Sequence, residues 1–480
     1  MTWLGIDIGT SGVKTILMDR DQAVVTTATA PLDVQRPHPG WSEQDPDQWW
    51  DAFLATLDEI SANNASGMAT VQGIGLSGHM HGATLIDADD QVLRPCILWN
   101  DGRSAEQCEV LEAAADFRGI GGNIVMPGFT APKLEWVRTH EPEIFSKTAK
   151  VLLPKDYVRL RLTGEYISDM SDSAGTLWMD VAQRDWSKDL LAATHLSSDH
   201  MPALVEGSAQ GGRLRPALAQ RFGMTSPPVV AGGGGDNAAS ACGVGAIAAG
   251  SGFLSLGTSG VLFVCNDAFS PNTARAVHAF CHATPQTWHQ MGVILSATDA
   301  LNWLSGITGQ SPEDLANMAA NADPGSDVMF LPYLSGERTP HNNANARGSF
   351  SGLSHLTTTA DLARAVLEGV AYAFADCAEA LQAAGTRPET VLAIGGGSKS
   401  GTWLQIIADA TGLVLQIPAK GDFGAAFGAA RLAICASENA DPHQVITPPE
   451  ILSEVQPDPS SQAKATDKYA RYKDLYPALH

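Results

Sequence analysis

The chain has 480 residues, more than one hydrophobic core ordinarily serves, and its 44% hydrophobic content against 17% charge leaves ample material to bury. Lys plus Arg number 30 against 52 Asp plus Glu, a formal net charge of -22. Such a surface excludes nucleic acid and anionic lipid as natural partners, and a bound polyphosphate would need local help from backbone N–H groups, a rare lysine or a divalent cation.

The first predicted element is a hairpin. Apolar residues Leu4, Ile6 and Ile8 alternate with Gly5 and Asp7, a small-residue turn follows, and a second apolar run begins at Lys14. A Pro-rich connection (Pro31, Pro37, Pro39) leads to Trp41-Ser-Glu-Gln-Asp-Pro. Residues 46–62 read as a helix, with Pro46 at its start and Trp49, Trp50, Phe53, Leu54 and Leu57 at helical spacing. Residues 71–76 read as a buried strand ending at Ser77-Gly-His-Met-His-Gly, and 84–87 and 92–99 as further strands. Helix signals dominate 100–225. Another strand, from Val229, runs into a four-glycine turn before Asp236.

The second half repeats the opening logic from residue 252. The string Gly-Thr-Ser-Gly-Val stands at 9–13 and again at 257–261, each time after a strand-like run. Residues 359–384 form a long amphipathic helix with Thr359 or Asp361 near its cap, 391–394 a buried strand, and 402–411 and 425–436 helices. Beyond 437 the composition turns to Pro, Ser and charge, a peripheral tail in which 467–476 is a candidate docking helix. Strands alternate with helices in both halves, which makes the chain α/β, with expected domains at 1–245 and 246–436 and a tail at 437–480.

Seven cysteines (Cys96, Cys108, Cys242, Cys265, Cys281, Cys377, Cys435) are odd in number and scattered, with no C-x-x-C pair. That pattern fits reduced thiols in a cytoplasm rather than a disulfide frame or zinc site. Met1-Thr-Trp-Leu runs directly into the first strand and leaves no room for a signal peptide. The most apolar stretch, 229–256, is mostly Gly and Ala and is interrupted by Asp236, so no membrane span is expected.

Several segments carry chemistry. A Gly/Thr/Ser hairpin tip presents backbone N–H groups and hydroxyls without bulk, which suits phosphate oxygens. Two such tips suggest a duplicated domain gripping one polyphosphate. Asp7, facing away from Leu4, Ile6 and Ile8, is placed to hold magnesium, which needs only one or two carboxylates; the plainer reading is a turn Asp satisfying backbone N–H groups. Asp236, on an uncovered glycine loop, is a candidate base, or equally a turn residue. His79 and His81 share a face, but no third ligand has convincing spacing for a metal; turn capping and recognition of a polar small molecule remain, with Met80 packing on carbons. Trp99-Asn-Asp-Gly-Arg103 suits a sugar or is a surface turn whose Asp–Arg pair is worth little. Gly395-Gly-Gly-Ser398, between strand and helix, is either a nucleotide turn or a plain left-handed one.

Two long gapped strings, Gly128-Phe-Thr-Ala-Pro-Lys133-Leu-Glu-Trp136 and Gly348-Ser-Phe-Ser-Gly352-Leu continuing through Asp361 to Glu368, resemble the signatures of the FGGY family of carbohydrate kinases. The resemblance spans roughly 4–436. It implies two actin-like (ribonuclease H-like) ATPase domains with an interdomain cleft, ATP and Mg2+ as cofactors, and a small-molecule sugar as substrate. By that resemblance Asp236 is the base that takes a proton from the sugar's terminal hydroxyl, and Asp7 anchors magnesium. Gly9, Thr10 and Ser11 with Gly257, Thr258 and Ser259 hold phosphates. Lys14 adds charge near them or is a solvent lysine at the hairpin edge. Gly396, Gly397 and Ser398 line the adenosine pocket, and Met80, His81, Asp236, Trp99 and Asn237 hold the sugar. The turn at 77–82 is similar to that of ketopentose kinases and lacks the Arg-Glu pair of glycerol kinases, although His79 stands where Gln is more often expected. A homodimer is the family-level expectation. The rival readings are a kinase for ribulose, gluconate, fuculose or glycerol, a non-catalytic sugar sensor on the same fold, and an acetate- or polyphosphate-directed relative.

Overall fold

The computed structural model describes residues 1–323, 325–419 and 423–480. Each half is organised around a seven-stranded sheet, and the two sheets share a topology. In the first, Val24–Pro31, Gly12–Asp19 and Thr2–Ile8 form an antiparallel meander. Val71–Gly78 then joins parallel to Thr2–Ile8, Val229–Ala231 joins parallel to that, and Gln210–Arg213 closes the edge antiparallel. In the second, Trp288–Ile294, Gly260–Asn266 and Gly252–Leu256 form the meander, Thr390–Ile394 and Val414–Pro418 add in parallel, and Ile451–Val455 closes antiparallel. His278–Cys281 extends the meander side by one strand. The repeated pentapeptide therefore marks the same turn in two copies of one architecture.

Both turns are hairpins, with Ile8 opposite Val13 and Leu256 opposite Gly260. The helix at Pro46–Asn63 starts where Pro46 points and buries Trp49, Phe53 and Leu57 against the first sheet. The long helix Thr359–Ala383 is capped one residue earlier than its sequence suggests, by a reciprocal pair between Thr358 and Asp361. The strand read at 92–99 shrinks to Cys96–Ile97, paired with Glu43–Gln44. Pro95 brings no N–H to a ladder there, and Arg94 turns to Glu43 and Glu141 instead.

The helix Ala425–Glu438 follows the second sheet in sequence but packs on the first, against Thr2–Ile8, Val71–Gly78 and the helix Asp236–Gly243. Glycines make that approach possible. A Cβ at Gly75 would lie 1.8 Å from the Ala429 carbonyl oxygen, and one at Gly428 would lie 1.7 Å from that of Ala239. The C-terminal segment supplies the edge strand Ile451–Val455 and a helix running Pro459–Leu479, longer than the stretch read from the sequence. Tyr472 of that helix is buried with its hydroxyl 2.9 Å from that of Tyr333, and Tyr469 donates to Asp376 at 2.6 Å. All seven cysteines are buried free thiols. Among the described residues, no helix is long and apolar enough to cross a membrane.

Candidate active site

Three neighbouring strands align Asp7, Ser77 and Gly234 across the first sheet. Ser77 Oγ donates to Asp7 Oδ1 at 3.1 Å. Gly234 and Gly235 lead straight into the helix Asp236–Gly243, so Asp236 occupies a helix start rather than the open loop its glycine run implies. Its Oδ1 accepts from the Asn237 backbone N–H at 2.7 Å and from Asn237 Nδ2 at 2.9 Å. Burial, and next the Asp7 charge, push Asp236 up to about 6. Asp7 is also raised by burial, against the Ser77 hydrogen bond and the Lys14 charge, which lower it. The two carboxylates thus sense each other at the C-terminal ends of parallel strands, where open α/β sheets bind ligands.

The glycine run is held from behind by ions the sequence reading did not single out. Gly235 N–H donates to Ser171 Oγ at 3.1 Å, and Ser171 Oγ donates to Asp169 Oδ1 at 2.5 Å. Lys155 Nζ lies 2.7 Å from Asp169, 2.6 Å from Asp156 and 3.1 Å from Asp172, all fully buried. Arg159 donates to the carbonyls of Ala231 and Gly232 at 2.7 and 2.5 Å. The available signal was charge inside an apolar run, with Lys155 and Arg159 one helical turn apart between Leu153 and Leu162.

Met80 packs on Gly235, the residue before Asp236, and Met80 and His81 both pack on Gly175. A Cβ at Gly235 would lie 2.9 Å from Met80 Cγ, and one at Gly175 would lie 2.7 Å from both Met80 Cε and His81 Cε1. His81 adopts φ +71°, a left-handed conformation that a non-glycine residue holds only when its surroundings fix it. They do: Lys133 Nζ and Thr130 Oγ1 donate to its carbonyl at 2.7 and 3.1 Å, its Nδ1 lies 2.7 Å from the Gly175 carbonyl, and Phe129 packs edge-on at 4.6 Å. Burial brings Lys133 down to about 7 and His81 down to about 3, so His81 is a neutral imidazole. His79 packs in the core edge-on to Trp49, and neither ring nitrogen has a hydrogen-bond partner among the described residues.

Trp99 is 48% exposed, and its indole N–H donates to Thr10 Oγ1 at 3.1 Å, joining it to the first hairpin tip. The rest of its segment is structural. Arg103 makes two bonds to Asp101 and one to Glu43, under the ring of Trp41 at 3.5 Å, so these buried charges serve each other rather than a ligand. Gln44 fixes the same tip by donating to the Thr10 carbonyl at 2.7 Å. The Gly9 N–H is spent inside the hairpin on Gly12, which removes one donor from the expected phosphate cradle. Ser11 is exposed, and Lys14 pairs opposite Asp7.

In the second half, the Gly257 and Thr258 carbonyls accept from the N–H groups of Thr298 and Ala297 at 2.9 and 2.8 Å, tying that tip to the helix Thr298–Thr308; Ser259 is exposed. Thr298 also lines a cavity of about 530 Å³ with Asn302, Gly396, Gly397 and Lys399. That volume suits a small organic ligand. Ser398 is not part of its wall; its hydroxyl donates back to the Gly395 carbonyl at 2.7 Å. Asp7, Asp236, Asn237, Met80 and His81 therefore gather on the first sheet, and the cavity with its hairpin tip belongs to the second.

The raised Asp236 carboxyl has a measurable consequence. A reaction that used Asp236 as its base would need it ionised, so kcat/KM is then expected to rise with pH through a limb centred near about 6 and level off. The stability sign is opposite. The native state holds this proton more tightly than the unfolded chain, so the contribution is full below about pH 4 and is lost as pH rises to about 6. A kcat/KM limb centred near pH 4 would show that Asp236 titrates as an ordinary solvated carboxylate.

Comparison with known proteins matches these two halves. Residues 2–243 match the FGGY family of carbohydrate kinases, N-terminal domain, and residues 252–437 match its C-terminal domain. A xylulose kinase of Escherichia coli (strain K12) is 52% identical over 474 residues, 98% of this chain and 96% of its own. The crystal structure of a xyloylose kinase from Brucella ovis has a TM-score of 0.98 at 55% identity, covering 100% of this chain and 99% of that one. That of a xylulose kinase from Rhodospirillum rubrum has a TM-score of 0.93 at 30% identity, covering 100% and 99%. With both domains matched across nearly its whole length, the chain belongs to the FGGY family of carbohydrate kinases and is an ATP-dependent sugar kinase.

Proposed function

We propose that the chain transfers the γ-phosphoryl group of ATP to O5 of D-xylulose, giving D-xylulose 5-phosphate and ADP. The carrying observation is Asp236, a half-buried carboxylate raised to about 6, directly after the glycine that packs on Met80, with the neutral His81 next to Met80. Relatives named xylulose kinase at 52% identity support the choice of sugar.

Asp236 accepts the proton from the C5 hydroxyl as its oxygen bonds to the γ-phosphorus and the bridging oxygen leaves with ADP. Met80 covers carbons, while His81 and Asn237 hold hydroxyls and Trp99 flanks the acceptor. Thr10 and Ser11 with Gly257, Thr258 and Ser259 bind phosphate oxygens, Lys14 adds positive charge, and Gly396 and Gly397 border the adenosine. Phosphoryl transfer rests on such positioning and charge neutralisation, with water kept out between the lobes.

The residues fit magnesium. Two carboxylates, each raised by burial and one of them also by the other's charge, would gain from a nearby cation. Among the described residues no group of three or more His, Cys, Asp or Glu could cage a metal. That suits an ion held by one or two carboxylates, water and nucleotide phosphates rather than by a protein cage. Asp7 would hold it, and the ion would neutralise phosphate charge.

The test is ADP release with D-xylulose, D-ribulose, gluconate, L-fuculose and glycerol in parallel, with phosphate position read by phosphorus NMR. D-Xylulose is expected to give the highest kcat/KM, with product phosphorylated at O5. A higher value for another acceptor, or phosphate on another oxygen, would reject the assignment.

A further inference from the structure

The second half touches the sugar turn. Asn123 of the first half donates to the Ala279 carbonyl at 2.9 Å and lies 3.0 Å from His278 Nδ1. Phe129, which packs on His81, is 5.8 Å from His278, and His81 itself is 6.3 Å from Phe280. The outer side of His81 is therefore closed by residues from beyond 250. Arg338 belongs to this wall. Its Nη1 contacts the sulfur of Met126, and its charge is felt at both His81 and His278.

Arg338 has the features of a ligand-facing group. Its backbone is fixed because the next residue, buried Thr339, donates to the Val293 and Ala276 carbonyls and accepts the Val293 N–H, all at 3.0 Å. Among the described residues its head group meets only a sulfur and, at a long 3.5 Å, Asn342 Oδ1, and no carboxylate forms an ion pair with it. The adjacent Glu337 and Arg338 feel each other's charge but form no ion pair. That carboxylate turns inward, accepting the N–H groups of Leu295 and Arg338 at 3.0 and 2.7 Å, and burial pushes it up to about 8. A half-buried guanidinium without an anion is costly unless something supplies acceptor oxygens.

The order of residues gives it a place along the substrate. Asp236 follows Gly235, which abuts Met80; Met80 and His81 share contact with Gly175; and Arg338 touches Met126, whose carbonyl accepts the N–H of Phe129, the ring that packs on His81. We propose that Arg338 is a substrate-binding residue contributed by the second half, whose guanidinium fork donates to the adjacent O1 and O2 oxygens at the ketone end of the sugar, remote from Asp236. A guanidinium carries only donors in a planar fork, which matches two neighbouring acceptors as a lysine cannot. The inference rests on the ketopentose reading above. It also ties substrate capture to the approach of the two halves.

The experiment is a cycle of kcat/KM values for wild type, Arg338→Gln and Arg338→Lys on D-xylulose and 1-deoxy-D-xylulose, which lacks O1. Melting temperature and KM for ATP serve as controls. Losing a hydrogen bond to a charged donor is expected to reduce kcat/KM for D-xylulose about 10- to 100-fold in Arg338→Gln, with Arg338→Lys recovering only part of it. Removing O1 is expected to cost the wild type severalfold more than it costs Arg338→Gln, so the two losses are not additive. Equal proportional losses on both sugars would reduce Arg338 to a structural role and overturn the proposal, as would no loss on either. A wild type inert on D-xylulose would instead reject the substrate assignment on which the proposal rests.

Discussion

Asp236→Asn is expected to bind ATP as the parent does and to lose about 100- to 10,000-fold in kcat. The exchange keeps size and an acceptor oxygen for the two Asn237 donors, so the helix start should survive. What disappears is a proton acceptor that follows the Met80-packed Gly235 and feels the Asp7 carboxylate. Since Asp7 raises Asp236 by charge repulsion, the amide also relieves that repulsion. At pH 8 the variant should therefore unfold at no lower denaturant concentration than the parent. The checks are steady-state ADP release and calorimetric titration with nucleotide. Parental turnover in the variant would remove the base assignment, whereas weakened ATP binding with unchanged kcat would move Asp236 to the nucleotide.

Lys155→Met is expected to cost about 3–5 kcal/mol of stability, the usual penalty for removing one partner from a buried ionic cluster. Burial alone would strip the Lys155 proton, but Asp156, Asp169 and Asp172 outweigh it and hold the ammonium above its ordinary range. With the ammonium gone, three buried carboxylates face one another, with Arg159, 3.9 Å from Asp156, the one other cation paired with them among the described residues. The damage should reach the active site, because Asp169 holds Ser171 and Ser171 holds the N–H just before Asp236. Urea unfolding followed by tryptophan fluorescence reads the loss. A midpoint equal to that of the parent would mean that the cluster contributes nothing net to folding.

Local pattern carried much of the fold. The doubled pentapeptide located both hairpins, and the alternation around Asp7 put its side chain on the face where Ser77 meets it. The shared topology of the sheets follows from that duplication. Sequence reasoning fell short where a residue's surroundings come from distant segments. Nothing local marks Lys133 and Lys155 as interior, yet both are fully buried, Lys133 reaching the His81 carbonyl and Lys155 reaching Asp169 and Asp172. Asp236 read as a loop residue because four glycines hide a helix start. Gly73 and Gly75 gave no sign that a helix some hundreds of residues later would lie on them, since close approach leaves a mark in composition but no address. Ser398 sat in the right turn, but whether a hydroxyl faces a cavity or its own backbone is decided by rotamer, not by spacing.

The helix Ala425–Glu438 has a bearing on how the chain can be taken apart. The first lobe is completed by a piece encoded near the far end of the gene, laid into a trough that glycine keeps free of side chains. A fragment cut off after residue 245 would carry that trough open to water, with backbone and apolar surface bare where Ala426 and Ala429 belong. The polypeptide thus enters its second lobe and comes back before it is finished, so the two lobes cannot be inherited, swapped or expressed as independent cassettes by severing the sequence at its midpoint.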